Sequence, residues 1–497
     1  MVQETLYHDL SLAERAQLHL AVSEALEAGD AQALPWAALT YHLLGAGPLG
    51  DLNKLVRYAQ RSGDEAMAQF AWEAAATHFA HALRALEQSD VNDSTLRCDL
   101  LLDLGEAYNR SGPGSGDVPR AREHFLEAFQ LARELGSPER MARAAVGFAG
   151  LNIVTAFGGV RQLQLLEDAL AALDPVDSPL RVRVLCNLAV DLWNRSTANY
   201  ERCSALSDEA VAMARRLGDP ALIALALWAR HYSGWQPVNL AERLVLAQQL
   251  VDYADMSGAP VIAAWAYVSL SLDYTDAGNL PDAERAIAAL RRLDERTRIP
   301  YVALRAAVYG GMLELLTGHY AAAIESVARA EALWESDTPR QHQIQTYCLL
   351  RDLGRLSELR DGIRLPDPSN PWRAATQAHR MLLALDRGQS EAAHADYADL
   401  AKDDFAQVGF NAFWFGAVVP LAEAAIAFGD TVNAARLCAL LEPFAERLAF
   451  VGILGVCHGP VALYLGRLAT ALGDWETADK RLEQALAMSE RLAIRPY

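Results

Sequence analysis

Regularly spaced prolines constrain the fold of this chain more than any other feature. Successive members of the set lie 41, 41, 40, 40 and 39 residues apart, and each stands where a run with helical apolar periodicity begins. Proline fits the first turn of a helix because its missing N–H has no partner there. The spacing therefore predicts a helical repeat of about 40 residues. The prolines are Pro138, Pro179, Pro220, Pro260, Pro300 and Pro339.

A second set of markers, glycines, lies inside the repeats. Each follows a helical pattern and precedes a second helix, as a helix-ending glycine does. They are Gly278, Gly318, Gly354, Gly388, Gly429 and Gly473. From near Arg97 onward the unit is thus helix, glycine turn, helix, and no strand-like alternation competes with it. We predict an all-α fold, a right-handed superhelix (α-solenoid) of tetratricopeptide-like hairpins, because such units bury their apolar stripes by stacking.

Composition and charge limit the classes of partner that the chain can bind. The chain of 497 residues is 52% hydrophobic and only 8% aromatic, which favours helices, and its net charge of −19 repels polyanions. We expect no direct binding of nucleic acid. The six cysteines form no C-x-x-C pair, and no secretory pattern begins the chain, so we expect reduced thiols in the cytoplasm. Residues 412–429 approach the length of a membrane span, but they include Pro420 and Glu423, so we predict a buried helix and no membrane contact.

The motifs of common catalytic sites are absent from the sequence. A phosphate-binding loop needs Gly-Lys, whereas Lys54, Lys402 and Lys480 follow Asn, Ala and Asp. His78 and His81 share a helix face, but no third ligand is evident nearby, so we expect a packing pair. The carboxylates are interpreted as solvated helix faces. We therefore predict no enzyme activity, no ATP binding, no cofactor and no metal site.

The first 90 residues show an ordered series of segments, Leu6–Arg15, Leu18–Leu26, Trp36–Leu44, Tyr58–Asp64 and Ala71–Leu83. The series resembles the junction in MalT-like, LuxR-type signal-transduction ATPases (STAND regulators), where a winged helix passes into tetratricopeptide repeats. The resemblance implies three regions. Residues 1–33 are a helical remnant resembling the end of a winged-helix linker, residues 34–96 are the first hairpins, and residues 97–497 are the superhelix.

In that family an ATPase precedes the repeats, and an output domain lies at either end of the protein. Neither is found in this sequence, so the resemblance implies an isolated sensor arm, a fragment or a truncated paralogue. ATPase and DNA-binding activities are not carried over. The leading hypothesis is a non-catalytic regulatory arm that binds a small-molecule inducer or a partner protein and thereby biases an associated ATPase. The alternative is a passive protein–protein scaffold.

Aromatic and polar residues recur on the first helices of the central repeats, and this pattern predicts a ligand site. Apolar walls with a few placed polar groups are typical of small-ligand sites. Packing between repeats is the competing interpretation of the same residues. The predicted set is Trp228, His231, Tyr232, Trp235, Trp265, Tyr267, Asp273, Tyr274, Arg305 and Tyr309.

The last predicted helix, Trp475–Leu492, carries Leu482, Leu486 and Met488 and has no polar capping helix after it. Because the ends of repeat arrays need a polar outer face, we expect exposed apolar surface there. Self-association through this end, or a missing continuation, would cover it.

Overall fold

The computed structural model describes residues 10–29, 34–111, 118–150, 159–333, 342–359, 362–366, 368 and 370–496. The repeat boundary at Pro339 and the N-terminal Leu6–Asp9 lie outside the described residues. The chain forms two compact units, Met1–Pro175 and Val176–Tyr497, here called the N-terminal and C-terminal units. The regions predicted from the resemblance, which divide at residues 33 and 96, stay predictions.

The N-terminal unit consists of helices that each pack on the next in sequence. Gly63 shows why neighbours approach closely, since a Cβ there would lie 2.5 Å from the ring of Phe79 in the following helix. The glycine thus leaves room for an aromatic ring in the helix contact. The helices are α1 (Leu12–Glu27), α2 (Trp36–Ala46), α3 (Leu52–Ala68), α4 (Trp72–Gln88), α5 (Ser94–Ser111), α6 (Val118–Glu134), α7 (Pro138–Ala149) and α8 (Gly159–Ala172).

The C-terminal unit continues the hairpin pattern in its described residues. Its helices are α9 (Pro179–Arg195), α10 (Tyr200–Leu217), α11 (Pro220–Ser233), α12 (Leu240–Ser257), α13 (Pro260–Asp276), α14 (Leu280–Thr297), α15 (Pro300–Leu316), α16 (Tyr320–Leu333), α17 (Gln343–Asp352), α18 (Arg373–Asp386), α19 (Ser390–Leu400), α20 (Trp414–Phe428), α21 (Thr431–Leu441), α22 (Val461–Leu472) and α23 (Trp475–Leu492). Strands β1 (Leu448–Phe450) and β2 (Cys457–Pro460) lie between α21 and α22.

The prediction that each regularly spaced proline begins a helix is confirmed for every described member of the set. Helices α7, α9, α11, α13 and α15 each begin at one of the predicted prolines. Capping side chains reinforce two of these starts: Ser178 accepts a hydrogen bond from the N–H of Arg181, and Asp219 accepts one from Ala221. All six predicted glycines adopt positive φ between 66° and 77°, so the turn positions are confirmed as well. The predicted fold class, an all-α array of tetratricopeptide-like hairpins, is confirmed.

The all-α array includes one short pair of strands, which the sequence pattern did not indicate. Strands β1 and β2 form a small antiparallel sheet, with Leu448 opposite Pro460 and Phe450 opposite Cys457. Every residue of both strands is buried. Because neither face meets solvent, the segment shows none of the polar–apolar alternation by which a strand is detected.

The apolar segment at residues 412–429 forms α20, which has Pro420 inside it and is buried along most of its length. Among the described residues, none of the helices has both the length and the apolar character needed to cross a membrane.

The last helix, α23, exposes only part of the apolar surface that was expected at the end of the repeat array. Leu482 and Leu486 are 38% and 58% exposed, whereas Met488 is buried. Self-association through this helix stays a prediction.

Candidate functional site

The first helices of three successive hairpins, α11, α13 and α15, pack side by side. Seven of the ten predicted site residues lie together on their shared surface, and an eighth, Trp235, follows the end of α11. We call this surface the aromatic face. Its predicted members are Trp228, His231, Tyr232, Trp235, Trp265, Asp273, Arg305 and Tyr309, all of them buried.

A continuous row of aromatic rings runs across these helices. The ring of Trp228 stacks on Tyr232 and on Trp265, at centroid distances of 5.5 and 4.8 Å. The Trp265 indole N–H donates to the hydroxyl of Tyr301 at 2.6 Å, and the guanidinium of Arg305 lies 4.8 Å from the Tyr301 ring centroid. The row therefore joins three repeats through stacking and indole–phenol contacts.

The phenols of this face act as hydrogen-bonding groups. Tyr232 donates from its hydroxyl to Oδ1 of Asn194 in α9 at 2.9 Å. Burial raises the pKa of Tyr309 to about 12 and that of Tyr232 further still. Both hydroxyls are protonated at neutral pH, so neither is suited to act as a general base there.

Beside the aromatic row lies a chain of buried charges. His231 Nε2 is 2.6 Å from Oδ2 of Asp273, and since a carboxylate can only accept, the imidazole donates. Arg243, on α12, donates to Asp273 and, at 2.5 Å, to Oδ2 of Asp276. Arg447 completes the chain by donating from Nε to Oδ1 of Asp276 at 3.1 Å. In this chain two guanidinium groups therefore face two carboxylates.

Arg447 belongs to a segment distant in sequence that covers the aromatic face. We call residues 447–460, which include β1 and β2, the C-terminal hairpin. Arg447 also donates to the carbonyl of Pro237, and the ring of Phe450 stacks on Trp235 at 6.2 Å. Gln345 on α17 donates to the carbonyls of Val308 and Gly455, at 2.8 and 2.9 Å. The hairpin is thus hydrogen-bonded or stacked at several points along its length.

Two predicted site residues lie elsewhere. The hydroxyl of Tyr267 donates to Oδ1 of Asp255 in α12 at 2.7 Å, and Tyr274 packs against Ala247 and Leu270. Both side chains therefore face α12, on the side of α13 away from Trp265. The sequence placed four predicted residues on α13 but could not assign each to a side of the helix. They are Trp265, Tyr267, Asp273 and Tyr274.

Three important residues were missed by the sequence analysis. Asp276 is three positions after Asp273 on the same helix, and this spacing is a signal that could have found it. Arg243 is a buried arginine on a second helix, where exposed charges are the usual expectation. Arg447 is 171 residues from Asp276, so no local pattern could have connected the two.

An open cleft of about 600 Å³ lies between α14, α15 and α16, apart from the predicted residues. Its charged lining is internally paired at two points. Arg329 contacts Asp294 at 2.6 Å, and Arg291 contacts Glu314 beside it. Two of the three arginines that line the cleft are therefore already engaged by carboxylates, which favours the aromatic face as the candidate site.

Comparison with known proteins gives fold neighbours only. Neither a protein-family model nor a curated protein matches the chain. The chain is similar to the Rap protein complexed with competence and sporulation factor, at 11% identity and TM-score 0.44, over 89% of this chain and 99% of that one. It is similar to the APC/C hetero-tetramer Cut9-Hcn1, at 14% identity and TM-score 0.42, over 99% and 98%.

A third solved structure is the signal transduction ATPase with a tetratricopeptide repeat sensor from Pyrococcus horikoshii. Its identity to this chain is 15% and its TM-score 0.39, over 71% of this chain and 55% of that one. These likenesses concern the fold alone.

Proposed function

We propose that the C-terminal unit is a non-catalytic binding module of a regulatory protein, and that the aromatic face is its binding surface. The C-terminal hairpin occupies this surface as an internal ligand. The observation that supports the proposal is the seat of Arg447, whose guanidinium meets the buried carboxylate of Asp276 and the carbonyl of Pro237. The arginine is carried by a segment distant in sequence and is bound by the repeats, and an arginine of a docked peptide would be bound in the same way.

The contacts of the hairpin define the chemistry of the external partner. Arg447 pairs with the carboxylate of Asp276, and Phe450, three residues later, stacks on Trp235. The partner is therefore an extended segment of a protein or peptide that carries an arginine and an aromatic residue at a similar spacing. Aromatic and arginine anchors dominate the energetics of many interfaces.

Occupation by an internal segment favours a sensor over a passive scaffold. A scaffold would keep its surface open, whereas here a partner must displace a tethered competitor that has a high effective concentration. Binding would then be coupled to release of the hairpin, which supplies two states whose equilibrium a partner can shift. Coupling of this change to an associated ATPase, as the MalT-like resemblance implies, and a role in transcription regulation belong to the same proposal.

A peptide in trans tests this proposal. The labelled peptide spans residues 443–452, and the chain carries Arg447→Ala with Phe450→Ala, which removes both anchors of the internal competitor. We expect saturable fluorescence anisotropy with this double variant and none with the wild-type chain, whose surface is occupied.

The matched control is Arg436→Ala with Leu440→Ala, two exposed positions on α21. This control should behave like the wild-type chain. A peptide lacking the arginine should bind to none of the three chains. Equal binding of the peptide to all three chains, or no binding to a double variant that keeps its helical circular dichroism, would contradict the proposal.

A further inference from the structure

Three side chains with metal-binding atoms converge in the C-terminal unit, outside the aromatic face. Sγ of Cys348 on α17, a ring nitrogen of His379 on α18 and one of His458 on β2 all lie within 4.8 Å of one another. The two Nε2 atoms are 3.0 Å apart, and the rings stack at a centroid distance of 5.0 Å. Both histidines are buried. Side chains from three separate elements therefore point at one spot.

The hydrogen bond of His379 fixes its tautomer. Nδ1 of this ring is 2.7 Å from the carbonyl oxygen of Ala375, which can only accept, so Nδ1 carries the proton. Burial lowers the pKa of His379 to about 4 and that of His458 well below its usual value. His379 therefore accepts a hydrogen bond at Nε2, and Nε2–H of His458 donates it at 3.0 Å. A metal-binding histidine is usually oriented in this way by a backbone carbonyl.

Other contacts hold the remaining ligand in place. The hydroxyl of Tyr464 on α22 donates to the carbonyl oxygen of His458 at 2.9 Å, which fixes the backbone that carries this ring. The ring of Tyr347 meets that of His379 edge-on at 6.4 Å. Neither of these two contacts uses an Nε2 atom of the histidines.

We propose that Cys348 Sγ, His379 Nε2 and His458 Nε2 form a binding site for a zinc-like transition-metal cation. A thiolate with two imidazoles is a set that zinc accepts. Around a tetrahedral zinc, two nitrogens lie about 3.3 Å apart and nitrogen and sulfur about 3.6 Å. The observed nitrogen separation of 3.0 Å is close to this, and the sulfur needs to approach by roughly an ångström.

Coordination balances simply. Burial raises the pKa of the Cys348 thiol, so the free site holds a neutral thiol. Binding of the divalent cation moves the proton of His458 from Nε2 to Nδ1 of the same ring, forms one metal–sulfur and two metal–nitrogen bonds, and releases the thiol proton to solvent. The site then gains one positive charge. The carboxylates of Asp352, Asp386 and Glu423 lie near enough to stabilise it, although Arg351 already engages the last two.

The site would join β2 to α17 and α18 and so fasten the C-terminal hairpin at the end opposite Arg447. This inference goes beyond the proposed function and does not rest on it, because metal content is measured without any partner. No local sequence motif indicates this site, because the three ligands lie 31 and 79 residues apart in the chain.

Cobalt(II) and zinc(II) test the site directly. The full chain is purified under reducing conditions, stripped with chelator, loaded with either metal and dialysed. We expect a single retained equivalent of zinc by elemental analysis. The cobalt form should show the intense visible bands of tetrahedral cobalt and a thiolate charge-transfer band in the near ultraviolet.

Cys348→Ser should abolish the charge-transfer band, and His379→Gln and His458→Gln should each weaken retention at least tenfold. The matched controls Cys438→Ser and His394→Gln, which replace the same residue types on α21 and α19, should retain metal as the wild-type chain does. A wild-type chain that retains no zinc, or a cobalt spectrum that Cys348→Ser leaves unchanged, would overturn the proposal. Circular dichroism of each variant separates loss of metal from loss of fold.

Discussion

At the scale of single residues, the aromatic face combines charges that are costly to bury with partners that offset the cost. Arg243 is 1% exposed and Asp273 fully buried, and each meets more than one opposite or polar group. Buried ions are tolerated when they are paired and hydrogen-bonded, and removing one partner leaves an uncompensated charge. Asp273 is the central member because it receives both His231 and Arg243.

We expect Asp273→Asn to destabilise the C-terminal unit by about 3 kcal/mol, since the amide leaves Arg243 with one carboxylate fewer in a dry environment. The measurement is urea unfolding followed by tryptophan fluorescence. Asp252→Asn, an exposed change of the same type on α12, should fall within about 0.5 kcal/mol of the wild-type value. A loss below about 1 kcal/mol for Asp273→Asn would show that the charge network contributes little.

The sequence predicted part of this face because His231 and Asp273 recur among aromatics at the repeat spacing. Their contact follows because the first helices of two successive hairpins start at prolines, Pro220 and Pro260, 40 residues apart. Arg447 could not be predicted, since its contact with Asp276 depends on the path of the chain through the later helices α14 to α21. Contacts between adjacent repeats recur at the repeat period and so leave a periodic pattern in the sequence. A contact between segments distant in sequence leaves no such pattern.

At the scale of elements, the helices were more predictable than the segment that covers them. Prolines and glycines at helix ends act locally, so their positions were sufficient to place the hairpins. The C-terminal hairpin depends on tertiary contacts instead. Its strands have three and four residues, too few to show a period, and it contains Gly455 at φ 67° where it meets α15. Short buried strands are specified by what they pack against.

Gly455 provides a test of that packing. A Cβ at this position would lie 2.6 Å from Cγ1 of Val308, so Gly455→Ala adds a clash to the strain of a left-handed backbone. We expect faster hydrogen exchange of the amides in residues 448–460, measured by mass spectrometry.

Gly388→Ala is the matched control, because Gly388 has φ 70° but no atom within 4 Å of the added Cβ. It should cost roughly 1 kcal/mol through backbone strain alone and leave exchange in the hairpin unchanged. If both substitutions change hairpin exchange equally, the contact with Val308 does not hold the hairpin in place.

At the scale of the whole molecule, the features that bear on function lie in one unit. The aromatic face, the hairpin that covers it and the three proposed metal ligands all fall between residues 176 and 497. The net charge of −19 across the chain would attract a partner segment that carries arginine, and this attraction would weaken as salt is added. Stability in repeat proteins is approximately a sum over units and their neighbours. A group of repeats that keeps its neighbouring repeats should therefore keep its stability and its binding surface.

The last prediction follows from this locality. A fragment of residues 176–497 begins just before Ser178, which caps α9, and keeps the hydrogen bond between Tyr232 and Asn194. We expect it to fold cooperatively by circular dichroism and to retain zinc as the full chain does. A shorter fragment of residues 219–497 keeps the Asp219 cap of α11 but loses α9, which packs on α11. It should unfold at lower urea concentration, because Tyr232 and the buried side of α11 lose their partners. Equal stability of the two fragments, or aggregation of the longer one, would contradict the view that the C-terminal unit supports its own binding surface.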